Sequence, residues 1–278
     1  MRTPKALSAV LALIAGLALT GCDTTTGIPD IQHIDSAIQQ AQDGLDKLTE
    51  QFEDALGQFD GAADTPTTSS TTGDGLDLQW NINDYPDYYT VSGTADFTGD
   101  TIPAAGTIAY GTPDRLGRST AAIGVITKQL RDSGNERDRD MPDEITGWPD
   151  NNPKVGIDLG DGDTYHGYLF NRSHLIAKSL GGEDAPKNMV TGTRTQNVGR
   201  NQPAGGMAYV ETLARNWLDA NPDGTITYKA TPHYTGSELL PRTVTVDILS
   251  SDKSIDQHVI VFNTANGYDI DYQNGGTR

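Results

Sequence analysis

The sequence predicts an α+β fold organised around a sheet. Three observations carry that expectation. Two short strand-like runs, 155–159 and 164–170, flank a Gly-Asp-Gly-Asp turn, which is a hairpin signal. Residues 208–218 carry apolar side chains at helical spacing. Three later runs, 225–229, 243–249 and 259–263, are short and rich in β-branched residues, as strands are. Strands, a hairpin, one main helix and then more strands is an α+β order.

The N-terminus is read as a targeting segment rather than as structure. Arg2 and Lys5 precede an apolar stretch from Ala6 to Leu19. That stretch is short for a membrane span, which takes about 20 residues. It ends in Leu19-Thr20-Gly21-Cys22, which resembles a bacterial lipobox. Residues 1–21 are then a lipoprotein signal peptide, and Cys22 is the lipidation site. The alternative is a plain signal peptide that happens to end at a lone cysteine. Cys22 is the only cysteine in the chain, so the exported part has no disulfide and its core must be stable by packing alone. The expected location is the outer face of the bacterial cell membrane, held there by acyl chains.

Residues 22–60 form the anchor region. Ile31, Ile34, Ile38, Ala41, Leu45, Leu48, Phe52, Leu56 and Phe59 recur at steps of three and four, close to a heptad pattern. A helix is expected from Asp35 to Ala55, weakened at Gly44 by about 1 kcal/mol relative to Ala. It either packs on its own domain or self-associates as a short coiled coil. Residues 61–76 are rich in Thr, Ser, Gly and Asp without an apolar period, and read as a flexible linker. Residues 77–278 form the remaining domain.

Within that domain, 119–130 is expected to be helical, because Ile123, Ile126 and Leu130 recur at helical spacing. In the 208–218 helix, Val210, Leu213, Ala214, Trp217 and Leu218 share one face. Glu211 and Arg215 lie towards the other, four residues apart and able to pair.

Charge is distributed unevenly. The formal net charge of the 278 residues is -18, and only 35% of them are hydrophobic, which suits a loop-rich secreted protein. Residues 22–75 hold eleven acidic side chains against Lys47 alone. Between Arg172 and Arg215 there are six basic side chains and three acidic ones. A local basic patch can contact phosphates, although an acidic protein steers them weakly at long range.

That basic stretch also contains the parts that phosphodiester chemistry needs. Water must lose a proton near phosphorus, charge on the phosphoryl oxygens must be neutralised, and the leaving oxygen must be stabilised. His174 can accept a proton at neutral pH, since imidazole titrates near 6.5. The other histidines are His33, His166, His233 and His258. None makes a His-x-x-x-His pair, and no cysteine ligand remains, which argues against a zinc site. Mg²⁺ needs only one or two protein oxygens besides water, and Asn197 offers an amide oxygen. Taken singly, Asn197 reads as a turn residue, Glu211 as an exposed helix carboxylate, and Arg172, Arg194 and Arg200 as surface charges. Their occurrence together in one segment is what points to chemistry.

The run Asn171-Arg172-Ser173-His174, followed by Asn188 and by Thr191-Gly192-Thr193-Arg194 to Asn197, resembles the DNA/RNA non-specific endonuclease family. That family has a ββα-metal, or His-Me finger, core. The bacterial DNA-entry nuclease branch is the most similar. Gly205-Gly206-Met207 leading to Glu211 also matches, as do Leu116-Gly117-Arg118 upstream and 234–241 downstream. The resemblance spans about residues 77–272. It implies a ββα-metal core with a mixed or antiparallel sheet. His174 would be the general base and Asn197 the direct Mg²⁺ ligand, with Mn²⁺ able to substitute. Asn188 would support the site by hydrogen bonding, and Glu211 would orient the metal's water shell. Arg118 would stabilise the phosphate, while Arg172, Arg194 and Arg200 would contact substrate. Much of the wider family has Asp-Arg-Gly-His where this chain has Asn171 and Ser173, which marks a branch variant.

The resulting expectation is a lipid-anchored, Mg²⁺-dependent endonuclease acting on DNA, with RNA an open second substrate and little sequence preference. Two alternatives stand beside it. One is a surface lipoprotein that captures DNA without cutting it. The other is an interaction protein whose working part is the 31–59 helix.

Overall fold

The computed structural model describes residues 78–200 and 205–278. The signal peptide, Cys22, the 31–59 helix and the 61–76 linker lie outside the described residues.

A six-stranded antiparallel sheet is formed by β1 (Tyr89–Gly93), β2 (Thr107–Tyr110), β3 (Ala122–Thr127), β8 (Thr225–His233), β9 (Thr243–Ser250) and β10 (Asp256–Phe262). Its order is β1-β10-β9-β8-β3-β2. The hairpin of β4 (Lys154–Asp158) and β5 (Thr164–Tyr168) and the ribbon of β6 (Phe170–His174) and β7 (Met189–Thr193) are separate two-stranded units. Among the described residues the α-helices are α1 (Lys128–Glu136), α2 (Arg194–Val198) and α3 (Gly206–Ala220).

Strand β8 shows why this sheet has one core face. Its residues alternate strictly, with Ile226, Tyr228 and Ala230 buried and Thr225, Thr227 and Lys229 partly exposed. Met207, Val210, Ala214 and Leu218 of α3 join that buried face in one cluster with Val246 and Ile248. Helical spacing puts these four on one stripe. Glu211 and Arg215 fall off the stripe and face the β6–β7 side. The expected helix at 208–218 and the three expected late strands are therefore present, each longer than its sequence signal.

Residues 119–130 depart from expectation. They form β3 and then the start of α1, not one helix. Residues 122–126 are a continuous apolar run, and such runs carry no period that separates a strand from a helix. Pairing decides: β3 is bonded to β2 on one side and β8 on the other. Thr127 ends the strand and caps α1, its hydroxyl accepting from the Leu130 N–H at 3.1 Å.

The expected strand 164–170 is likewise two strands. Leu169 donates to Pro153 O at 2.9 Å and accepts from the Arg194 N–H at 2.7 Å. The chain switches partner there, from β4 to β7. That switch sends β6 away from the hairpin and towards α2 and α3, giving the ββα arrangement of ribbon and following helices.

The strand assignment of β3 has a measurable consequence. Ile126 is fully buried in the main core, whereas Ile123, on the opposite face, is only partly buried. Urea denaturation should show Ile126→Ala costing about 2–4 kcal/mol and Ile123→Ala clearly less. A helix would bury both on one stripe and make the two costs similar.

Candidate active site

Strand periodicity sets the first two side chains. Arg172 and His174 are two apart on β6 and share a face, and both line a cavity of about 440 Å³. Ser173 points the other way, is fully buried, and donates to Asn197 Oδ1 at 3.2 Å. Strand β7 ends at Thr193, whose hydroxyl caps α2 by accepting from the Gln196 N–H at 3.0 Å. This cap starts the short helix that turns Asn197 into the cavity.

Helix α3 supplies the opposite wall with Glu211 and Arg215. Its entry requires glycine at 206. That residue has φ +54°, and a Cβ there would lie 2.3 Å from Gln196 O, so no side chain fits between α2 and α3. Glu211 Oε2 is 3.7 Å from Arg215 Nη1, and its side chain is 15% exposed. Burial pushes the Glu211 carboxyl up to about 7, against the opposing pull of the Arg215 charge. Glu211 is therefore not an ordinary exposed helix carboxylate.

His174 Nε2 lies 2.7 Å from Asp184 Oδ1, with the two side chains 12% and 5% exposed. Nδ1 makes no hydrogen bond to a described residue. Burial holds the imidazole below its usual value, although Asp184 pulls it back up and Arg139 and Arg137 oppose that pull. At neutral pH the ring is thus neutral. For Asp184, burial raises the carboxyl, but the Asp140 N–H, His174 and Arg139 outweigh it and keep it below the usual carboxylate range.

Asn188 is fully buried. Its Oδ1 accepts from the Ile176 N–H at 3.0 Å, and its Nδ2 donates to Ile176 O and to Glu183 O, both at 2.9 Å. Its side-chain hydrogen bonds go to Ile176 and Glu183 rather than to cavity-lining residues, and they brace the loop that follows His174.

The arginines separate clearly. Arg172 lines the cavity, stacks 4.0 Å over Trp148 and donates to Asp143 O. Arg118 does not line it. Its guanidinium is paired with Asp114 at 2.6 Å, donates to Gly236 O and Glu238 O, and lies 4.4 Å over Tyr234. Arg194 lies 4.7 Å over Tyr165, and Arg200 pairs with Asp87 at 3.1 Å. Both are outside the cavity lining. Arg139 lines it, and the sequence reading missed both Arg139 and Asp184. Arg139 lies in an aperiodic stretch, and Asp184 sits in a Gly-Gly-Glu-Asp run that reads as a turn.

Among the described residues, no three His, Cys, Asp or Glu side chains are grouped as a metal cage would need. The cavity instead offers two oxygen donors, Asn197 Oδ1 and the Glu211 carboxylate. That set fits a hard, water-rich divalent cation.

The model of the DNA/RNA non-specific endonuclease family matches residues 105–274. The chain belongs to this family. A deoxyribonuclease from Streptococcus dysgalactiae subsp. equisimilis is 35% identical over 249 residues, covering 72% of this chain and 76% of the relative. The Sda1 nuclease, solved with a bound zinc ion, superposes with a TM-score of 0.67 at 38% identity, over 72% of this chain and 99% of that one. NucA from Streptococcus agalactiae, solved with magnesium, shares the fold at a TM-score of 0.54 and 22% identity, over 66% and 84% of the two chains. The ββα-metal fold expected from the sequence is thereby established, and relatives of this chain hold divalent metal.

The raised Glu211 predicts a stability effect. Its folded value near 7 exceeds the ordinary 4.5, so the folded state takes up a proton between those pH values. Stability of the metal-free protein falls as pH rises through that window. Glu211→Gln should therefore stabilise the protein at pH 8 in EDTA, by on the order of 2 kcal/mol, with the gap closing near pH 4. Thermal unfolding at the two pH values checks this, and a variant weaker at both would contradict it.

Proposed function

We propose that this chain is an exported, lipid-anchored endonuclease that hydrolyses DNA with little sequence preference and depends on Mg²⁺. One observation carries the reading. A single cavity gathers an imidazole whose Nδ1 bonds to no described residue, an amide oxygen, a buried carboxylate and guanidinium groups. A binder without chemistry has no use for the first of these.

His174 acts as the general base. Its neutral ring takes a proton from water at Nδ1 as the water oxygen bonds to phosphorus. The bond from phosphorus to the 3′ oxygen breaks, and that oxygen leaves and takes up a proton from solvent water. Arg139 and Arg172 neutralise charge on the phosphoryl oxygens. We assign this role to Arg139 in preference to Arg118, because Asp114 and two carbonyls already satisfy Arg118 away from the cavity. Asn197 Oδ1, with Glu211 beside it, would hold a divalent cation, Mg²⁺ or Mn²⁺ in its place, which would supply Lewis acidity to the phosphodiester. Glu211 would orient that cation's waters, and Arg215, 3.7 Å from the carboxylate, keeps it directed into the cavity. Asn188 keeps the base's loop in place. Arg194 and Arg200 serve substrate through the flanking surface.

The signal peptide 1–21 would direct export and be removed, and lipid on Cys22 would then hold the enzyme outside the cell, tethered by the 61–76 linker. RNA is a second substrate to be assayed alongside DNA.

Supercoiled plasmid tests the core of this reading. The fragment 77–278 should nick it with Mg²⁺, stop in EDTA, and lose at least about 10²-fold in rate as His174→Ala. Contacts are expected mainly to phosphates, so raising salt should inhibit steeply. Binding without cleavage would replace the enzyme with a DNA-capturing lipoprotein.

A further inference from the structure

Asp184 is a carboxylate with both oxygens engaged across the site. Oδ1 meets His174 Nε2 at 2.7 Å, and Oδ2 accepts from the Asp140 N–H at 3.0 Å. We infer that Asp184 is a positioning residue that locks His174 in the Nε2–H tautomer and ties it to the segment carrying Arg139. The inference rests on His174 being the base, and goes beyond it.

The tautomer follows from donor and acceptor chemistry. An ionised carboxylate only accepts hydrogen bonds, so the proton of a neutral ring must sit on Nε2. Nδ1 then carries the lone pair, and among the described residues Nδ1 has no hydrogen-bond partner. A ring free to rotate or to hold its proton on Nδ1 would offer no base to the cavity. With 12% and 5% side-chain exposure, the pair is well shielded, so its geometry is not that of a solvated surface contact.

Asp184 is itself held in place. Gly182 allows the turn to close on Ile176, since a Cβ there would lie 1.8 Å from Ile176 O. Asn188 Nδ2 holds the carbonyl of Glu183, the residue before Asp184, and Tyr110 Oη accepts from the Glu183 N–H at 2.9 Å. Arg137 donates to Gly182 O, bringing the segment of Arg139 and Asp140 to the same turn. The base and a cavity guanidinium thus share one carboxylate as their common reference point.

Asparagine at 184 keeps the shape and removes the constraint. Its amide N–H₂, if turned to the ring, would require the lone pair on Nε2 and drive the proton onto Nδ1. Steady-state kinetics with Mg²⁺ on a DNA duplex should show Asp184→Asn lowering kcat by about 10²-fold with KM within about twofold. In the His174→Ala background the same change should cost nothing further, because Asp184 acts through the ring. Imidazole ¹⁵N spectra of the metal-free wild type should place the proton on Nε2, a readout that needs no variant to fold. A wild-type ring protonated on Nδ1, an unchanged kcat, or an equal loss in the His174→Ala background would each overturn the inference. A fully active His174→Ala would instead remove the base assignment beneath it.

Discussion

The site depends on how the chain between β6 and β7 is folded back on itself. That excursion, residues 175–188, leaves the ribbon at His174 and returns one residue before Met189, its pairing partner. Asn188 closes it from within, with three hydrogen bonds to backbone groups of Ile176 and Glu183. Each such bond contributes about 1 kcal/mol net, but an unpaired buried amide or carbonyl costs more. Asn188 is fully buried, so the loop has few other ways to satisfy these groups. Asp184 faces His174, and the ring keeps Nδ1 for the cavity, because this closure is made.

Electrostatics in the cavity run against the protein as a whole. The chain carries -18, yet the cavity is lined by Arg139, Arg172, Lys178 and Arg215 with Glu211 as its acid. A phosphodiester entering it meets excess positive charge at short range, where screening is weak. Before a cation arrives, Glu211 is costly to ionise. A bound divalent charge would offset that cost, so metal and carboxylate favour one another. On the proposed reading, the site gives up stability in the metal-free state for a carboxylate poised to meet a cation, a familiar tension between stability and activity.

What could be read from the chain, and what could not, divides along local and non-local lines. The β4–β5 hairpin was legible because Gly160 to Asp163 is a turn signal, and β8 to β10 because β-branched residues recur. The end of β5 was not, since the switch at Leu169 depends on Arg194 from β7's end. The segment at 119–130 hides its strand because Ile123, Ile126 and Leu130 mimic a helical period within an apolar run. His174, Asn188, Asn197 and Glu211 stood out by motif and order, and the fold brings His174, Asn197 and Glu211 to one cavity. Arg118 also stood out by motif flank, but Asp114 four residues earlier is a local partner that was there to be noticed. Asp184 and Arg139 had no local signal, because their significance arises only when the excursion and the segment after α1 meet.

The cavity between β6, α2 and α3 is the proposed place where metal and substrate are processed. Crystals of the domain soaked in Mn²⁺ and examined by anomalous diffraction test it most directly. The predicted result is one strong peak bonded to Asn197 Oδ1, with Glu211 facing it through water and His174 still on Asp184. A protein that cleaves DNA with its only metal peak elsewhere, and with Asn197 unliganded, would contradict it.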